Sequence, residues 1–517
     1  MPDAAPTFRL HNTLARAVEP LVPSETAPDG TPVLRFYSCG PTVYSYAHVG
    51  NFRTFLTADL VVRTARALGW EVRYVSNVTD VGHLTEDDVA DGGGEDKMAQ
   101  ALASKEGEAF ANVWDLARHY TDALVGDWRA LGLIEPDVRP RATEHIREQI
   151  EAAAALVERG HAYETDDGVY FHVPSFPAYG ALSGNADADT LQDASRELVR
   201  DSAKRDPRDF ALWKKDPGHL MQWHSPFADG SGPWGFPGWH LECSVMAQKY
   251  LGPTIDLHGG GEDLRFPHHE CEIAQAEALT GEPFSRMWIH TRFLQVEGQK
   301  MAKSAGNFLT VRDLTAAPAD GGRDDWGAPV DPLALRLLLI SGQYGRPFNL
   351  TRKALADAQK NRRRYADAVD AVAESEAAGR PGDASAALAD ALGAAYADAL
   401  AAMCDDLNTP VALAAGLAGV GAILAAHRTA PLPAADAAAA RDFLDRLDAL
   451  LGVVYATEAP SSEDDDALGA TVEALLADRA AARAAKDWAR ADAIRDEIAA
   501  LGVEIMDTAS GTEWRRA

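Results

Sequence analysis

From Arg35 to Ser38 the sequence reads as a short strand, and a Gly40-Pro41 turn follows it. A helix is expected from near Gly50, because Phe52, Phe55, Leu56 and Leu60 recur at helical spacing and Gly69 stops the run. Glu71 to Val75 then alternates with the period of two that suits a strand. Strand, helix and strand in that order predict a β-α-β unit, the seed of a Rossmann-type, doubly wound parallel sheet of the α/β class. Residues 105–170 pattern mainly as helix, whereas 170–235 is rich in Pro, Gly and Trp and predicts irregular chain. The middle of the chain, 125–235, therefore reads as a connective insertion in the nucleotide domain. Strand-like sequence returns at Thr254–His258 and Met287–Val296 and completes the sheet.

Thr315 to Asp331 (TAAPADGGRDDWGAPVD) reads as a flexible surface loop. From 350 to 455 the chain is Ala- and Leu-rich and helical, with a break at Gly379–Ser385. Val411 to Ala426 has almost no polar side chains, but it is short for a membrane span and lacks aromatic anchors, so it predicts a buried bundle helix. An acidic linker, Pro460–Asp466, leads to a last helix and a short tail. The expected division is a catalytic domain over 1–345, a helical bundle over 346–458 and a small C-terminal domain over 467–517. The string GGGED occurs at 92–96 and 259–263, read as coincidence between two loops.

Composition narrows the class. The chain has 517 residues, 46% hydrophobic and 25% charged, as an ordinary globular protein has. Its start, MPDAAPTFRLHN, has no basic segment followed by an apolar one, so a cytoplasmic protein outside the membrane is expected. Four widely spaced cysteines, Cys39, Cys243, Cys271 and Cys404, suit metal binding or burial rather than a disulfide framework. A net charge of -29 counts against a general affinity for nucleic acid and leaves room for specific binding through local patches. One such patch is Arg352, Lys353, Lys360, Arg362, Arg363 and Arg364, which reads equally well as a solvated helix face.

The first β-α turn carries Cys39-Gly40-Pro41-Thr42 and then His48-Val49-Gly50-Asn51. A helix N-terminus suits phosphate because its N–H groups and dipole favour anions. His48 and Asn51, three apart, share one face of the first turn and can donate to the phosphates of ATP. Gly50 admits close approach of the nucleotide. A capping Asn beside a surface His is the plain alternative. Lys300-Met301-Ala302-Lys303-Ser304, followed by Gly306-Asn307, lies after a predicted strand, and two lysines there can close over a triphosphate. Cys39, the segment GWHLECS around Cys243, HGGGED from His258 and FPHHECE from Phe266 hold thiols, imidazoles and carboxylates fit for zinc. His268 and Glu272 are four apart on one helix face, but His269 or Cys271 would also reach, so the residues alone leave the ligand set open.

HVGN and KMAKS together resemble the two signature motifs of class I aminoacyl-tRNA synthetases. CGPTVY, GWHLECS, HGGGEDL and FPHHECEIA resemble cysteinyl-tRNA synthetases specifically, as do KRDPRDFALWK at 204–214, DDLNTP at 405–410 and GTEWRR at 511–516. The resemblance runs from near Thr7 to the tail. It implies one zinc ion per chain on Cys39, Cys243, His268 and Glu272. It implies a cysteine pocket lined by Gly40, Thr79 and Trp239, ATP held with Mg²⁺ by Thr42, His48, Gly50, Asn51 and Lys303, and catalysis by His48, Asn51, Lys300 and Lys303. L-cysteine, ATP and tRNA-Cys are the implied partners, and the chain is expected to act as a monomer. Zinc binds a thiolate better than a hydroxyl, so a metal that takes the substrate thiol rejects serine. The helical region after 350 and the tail, with Trp514, Arg515 and Arg516, are implied to recognise tRNA.

Three departures stand out. Asn51 replaces a His, Ala302 replaces a Ser, and Val81-Gly82-His83-Leu84 follows Asp80 where many relatives carry an acidic pair and a lysine. Glu95-Asp96-Lys97 is expected to restore part of that function. Two rival readings remain: a cysteine ligase with a small amine acceptor, as in mycothiol synthesis, and a non-catalytic paralog.

Overall fold

The structure is a computed structural model, and it describes residues 6–82, 84, 96–184, 204–216, 218–227, 234–302 and 305–455, with a discontinuous set between 472 and 516. It falls into two compact units, 1–456 and 457–517.

The centre of the first unit is a parallel sheet of β1 (Pro32–Ser38), β2 (Glu71–Ser76), β3 (Leu257–Gly261) and β4 (Trp288–Thr291) in the order β4-β3-β1-β2. Glu25–Thr26 adds an antiparallel edge to β1. Such a sheet is covered on both faces, which is why β1 is apolar almost throughout rather than alternating. The chain leaves β1 for β2 on one side and returns to β3 on the other. A crevice therefore opens at the carboxyl ends of β1 and β3, where strand order reverses and α/β sheets place their ligands.

Helix α1 (Val49–Ala67) joins β1 to β2. It buries Phe52, Phe55, Leu56, Leu60, Val61 and Val62, each stabilising the fold by about 1.5–3 kcal/mol. Its core face also carries Arg53 and Asp59. Arg53 donates to the carbonyls of Gln343 (2.8 Å) and Arg346 (3.0 Å), and so ties α1 to the chain after the sheet.

The insertion departs from its sequence reading. Residues 162–237 build a five-stranded antiparallel sheet, in the order Ala162–Glu164, Gly168–Phe171, Phe210–Lys214, Trp234–Pro237 and Trp223–His224. Strands of two to five residues are too short for their alternation to be read. This sheet shares a core with Ile146, Ala153 and Leu156 of the helix Ile146–Glu158.

Helices α2 (Trp239–Leu251) and α3 (His268–Thr280) pack together beside β3. The strand expected from Thr254 begins only at Leu257, and Met287–Val296 divides into β4 and Leu294–Val296. The latter joins a separate sheet with Gln299–Lys300 and Phe348–Leu350. Asp331 caps helix α4 (Pro332–Leu339), and a bundle follows of α5 (Arg352–Ala378), α6 (Ala386–Cys404), α7 (Thr409–His427) and α8 (Ala434–Leu451). Helices α6 and α7 are each long and apolar enough to cross a membrane. Here they pack on one another, and α7 buries Ala412, Leu413, Val420 and Ile423. Gly419 lets the Phe443 ring of α8 reach the α7 backbone, because a Cβ there would lie 2.2 Å from it.

In the second unit Val472, Ile494 and Ile498 are buried together. The short tail forms a hairpin, Val503–Thr508 antiparallel to Gly511–Arg516. The linker at 460–466 lies outside the described residues.

Candidate active site

Cys39 is the first residue past β1, and its N–H donates to the Gly259 carbonyl of β3 at 3.0 Å. This cross-strand bond sets its thiol into the crevice mouth. Cys243 comes from the second turn of α2, and His268 and Glu272 from the start of α3. One donor atom from each of Cys39, Cys243, His268 and Glu272 lies within 4.8 Å of the other three, and all four residues are buried. Cys39 Sγ is 3.8 Å from Cys243 Sγ and 3.5 Å from Glu272 Oε1, and His268 Nε2 is 3.0 Å from the same oxygen.

A second group overlaps it. Cys39, His258, His269 and Glu272 meet the same criterion. His258 Nε2 lies 2.9 Å from Glu272 Oε2, and His269 Nε2 lies 3.4 Å from Cys39 Sγ. His269 Nδ1 in turn contacts His290 Nε2 (2.8 Å), and His290 Nδ1 contacts Thr13 Oγ1 (2.8 Å). His258 belongs to the HGGGED segment already counted as fit for zinc, whereas no sequence signal pointed to His290 or Thr13. Cys271 points the other way, into the insertion's core, 3.5 Å from the Tyr179 hydroxyl.

The electrostatics suit a cation. Burial pushes the Cys39 thiol up. Burial also opposes ionisation of Cys243, but the hydrogen bond from Cys39 and the contact with His268 outweigh it and draw the thiol down to about 6. Burial disfavours charge on His268, yet the Glu272 carboxylate overrides it and lifts the imidazole to about 10. Glu272 sits well below the usual carboxylate range, because His258 and His268 outweigh its burial. A thiolate and a carboxylate are thus balanced here by protons that a metal ion can replace.

Above the cluster, the Trp239 ring lies 4.3 Å from that of His268, centroid to centroid. Gly40 N donates to Asn77 Oδ1 (2.8 Å), and Asn77 Nδ2 donates to Thr79 Oγ1 (3.1 Å). Thr42 and Thr79 face each other across a parallel bridge. Gly40, Thr79 and Trp239 thus stand on the three segments that carry or adjoin the ligands.

His48 is the N-cap of α1. Its Nδ1 accepts from Asn51 N (3.1 Å), while Asn51 Oδ1 accepts from His48 N (3.0 Å). The two motif residues thus cap one another, a pairing worth about 1 kcal/mol to the helix. The capping named above as the plain alternative to a phosphate role is therefore present in the structure. A Cβ on Gly50 would lie 2.9 Å from the His48 ring and 3.0 Å from Met301 Cε, so the absent side chain lets the lysine loop sit against the helix start. Lys300 is exposed at the end of its strand, and Asn307 ties off the loop by accepting from Ala302 N (2.9 Å) and donating to Lys300 O (3.0 Å). Lys303 lies outside the described residues, as do His83 and Glu95. Asp96 caps the helix Lys97–Ala103 and lies 3.2 Å from His219, and Lys97 Nζ is 5.9 Å from the Tyr44 ring centre.

Two solved structures share this architecture. Leucyl-tRNA synthetase of Agrobacterium radiobacter K84 aligns with a TM-score of 0.58 at 11% identity, over 83% of this chain and 85% of that one. Methionyl-tRNA synthetase of Mycobacterium tuberculosis aligns at 0.53 and 15% identity, over 84% and 93%. The fold is therefore that of a class I aminoacyl-tRNA synthetase. A family model for the class I (C) tRNA synthetase catalytic domain matches residues 28–360, and one for the cysteinyl-tRNA ligase anticodon binding domain matches 465–515. The cysteine–tRNA ligase of Salinibacter ruber is 56% identical, with 99% of each chain covered, and that of Deinococcus radiodurans is 41% identical over 99% of this chain and 97% of its own. The chain belongs to the cysteine–tRNA ligase family.

Proposed function

We propose that this protein activates L-cysteine with ATP to cysteinyl-adenylate and transfers the cysteinyl group to the 3′ end of tRNA-Cys. The observation that carries the reading is the buried Cys39, Cys243, His268 and Glu272 cluster beside Gly40 and Trp239, at the point where the sheet reverses its strand order. Two sulfur donors, one nitrogen and one oxygen suit one zinc ion per chain. This set is preferred to the His258 and His269 alternative because it uses both thiols. Bound there, zinc would supply a soft acceptor for the substrate thiol, and hence selection of cysteine over serine.

The chain's own residues do the rest. Gly40, Thr79 and Trp239 line the cysteine pocket and orient its carboxylate. Thr42, His48, Gly50 and Asn51 hold ATP at the start of α1, where the helix dipole favours phosphate. The carboxylate attacks the α-phosphate, and pyrophosphate leaves. His48, Asn51, Lys300 and Lys303 stabilise the charge that develops, with Mg²⁺ on the phosphates. A ribose hydroxyl of the terminal adenosine then takes the cysteinyl group, and AMP departs. The proposed parts are a catalytic domain over 1–345 with its insertion, a tRNA-binding bundle over 346–458 and an anticodon-binding domain over 467–517. We propose a cytoplasmic monomer outside the membrane. The match of an anticodon-binding model to 465–515 favours tRNA over a small amine as acceptor.

Transfer of labelled cysteine to purified tRNA-Cys tests the proposal, with serine and Cys243→Ala as controls. Charging by cysteine alone, lost in the variant, supports it. Cysteine-dependent ATP–pyrophosphate exchange without charging would move the acceptor to a small amine. Absence of both reactions would bring the non-catalytic reading forward.

A further inference from the structure

The segment between the lysine loop and α4 contributes no residue to the site above, yet it is tied to the loop. Two 3₁₀ turns, Pro318–Asp320 and Asp324–Trp326, fold it. Arg323 Nη1 donates to the carbonyl of Gly306 (3.0 Å) and reaches that of Phe308 (3.4 Å). Its Nε and Nη2 each meet the Asp325 carboxylate at 2.8 Å. Asp325 is held from the other side by Arg352, in the first turn of α5, whose Nη2 donates to the Asp325 carbonyl at 2.9 Å. The Arg352 guanidinium lies 4.5 Å from the Trp326 ring centre, and its backbone N–H donates to Glu297 Oε1 at 2.8 Å. A continuous set of contacts thus runs from the base of the bundle to the arm that follows KMAKS.

That arm is also what touches the helix start. The Phe308 ring stands edge-on to the His48 ring at 5.2 Å, and Leu309 O accepts from Val49 N at 2.9 Å. Only a planar guanidinium can grip a carboxylate with one edge while donating to carbonyls from the other, and a lysine could not keep both.

We infer that Arg323 is a positioning residue for the ATP-dependent step. It splints the downstream arm of the lysine loop, Gly306–Phe308, to the first turn of α5, and through Phe308 holds the face against which His48 rests. The inference rests on the proposed function. The Arg323–Asp325 pair lies at the surface, Arg323 half-buried and Asp325 exposed (side chains 30% and 52% accessible), so it adds little to global stability. Its loss therefore acts on the geometry of the loop rather than on folding.

The test is cysteine-dependent ATP–pyrophosphate exchange by the full-length, zinc-loaded chain, as wild type, Arg323→Ala, Arg323→Lys and Asp325→Asn. The expected result for Arg323→Ala is a fall in kcat of about tenfold, with KM for cysteine within about twofold of wild type. Zinc content and melting temperature stay unchanged, and Arg323→Lys recovers only part of the rate. Hydrogen–deuterium exchange of the peptide over 305–310 reads the contact without activity, and its protection should fall in Arg323→Ala. An active wild type whose Arg323→Ala variant matches it in kcat overturns the inference, as does unchanged protection over 305–310. A wild type with no exchange activity overturns the proposed function and the positioning role of Arg323 together, while protection over 305–310 still decides the contact.

Discussion

Gly40 and Asn77 touch so closely that a Cβ on Gly40 would lie 1.7 Å from the Asn77 carbonyl oxygen. The obstacle is backbone, so no side-chain rotation relieves it. Gly40→Ala must separate the segments that follow β1 and β2, which carry Cys39 and Thr79. We expect a loss of about 1–3 kcal/mol in urea unfolding, typical of overpacking, together with a fall in cysteine-dependent exchange. Normal stability with normal activity would show that these segments part without cost.

The four-residue cluster makes a direct prediction for metal content. Cys243→Ala and His268→Ala should each lower bound zinc from one ion per chain to a small fraction, read by elemental analysis of purified protein. Cys271→Ala should not, because its thiol faces Tyr179. Zinc loss in Cys271→Ala with retention in Cys243→Ala would sink the ligand assignment.

Metal affinity should also depend on pH. Ligand thiols must lose their protons, and burial holds the Cys39 thiol up while Cys243 sits at about 6. Zinc binding therefore releases protons, and affinity weakens as pH falls from 7.5 through 6. Competition against a chromophoric chelator at the two pH values measures this, and equal affinity at both would contradict it.

Arg336 and Asp59 form an ion pair with no solvent exposure, joining α4 to α1. Arg336 also donates to the carbonyls of Leu131 (3.1 Å) and Gly132 (3.1 Å) and to that of Leu451 at the end of α8 (2.9 Å). Arg336→Ala leaves the Asp59 carboxylate buried with only Arg63 and the Ile134 N–H (2.8 Å) as partners, and should cost about 3–5 kcal/mol in denaturant unfolding. A cost below about 1 kcal/mol would mean that water enters to solvate Asp59.

Asp127 predicts a pH effect on folding. Burial lifts its carboxyl to about 6, and Arg312, 3.4 Å away, reverses only part of that shift. A carboxyl raised in the folded state stabilises it fully below the unfolded value near 3.8, and that contribution is lost as pH rises through 6. Asp127→Asn should therefore gain stability over wild type on the order of 1–2 kcal/mol at pH 7, with the gain vanishing at pH 4. A variant less stable at pH 7 would show that the Arg312 pair outweighs burial.

Legibility differed from element to element. The first β-α-β unit could be read because Phe52, Phe55, Leu56 and Leu60 recur at helical spacing in α1 and Gly69 closes the run. The insertion's sheet could not, since its strands are too short to carry a period and its partners lie up to dozens of residues apart. The site divided in the same way. Cys39, Cys243, His268 and Glu272 were nameable from motifs, whereas His258, His290 and Thr13 behind them depend on which strands are neighbours. The role of DDLNTP was also invisible. Asp406, at a φ of 54°, accepts from His11 N and from Tyr344 Oη, which pins the N-terminal hairpin (Arg9–Asn12 with Ala17–Pro20) to the bundle.

The sequence by itself determined the class of fold, the helical bundle and the residue types available for chemistry, because local periodicity, turns and motif spacing are properties of neighbours along the chain. Only the tertiary structure decided which donors meet, that Cys271 faces away while His258 faces in, and that Arg323 grips the lysine loop. Those outcomes depend on strand order and helix packing, which bring together residues hundreds of positions apart and which no local pattern encodes.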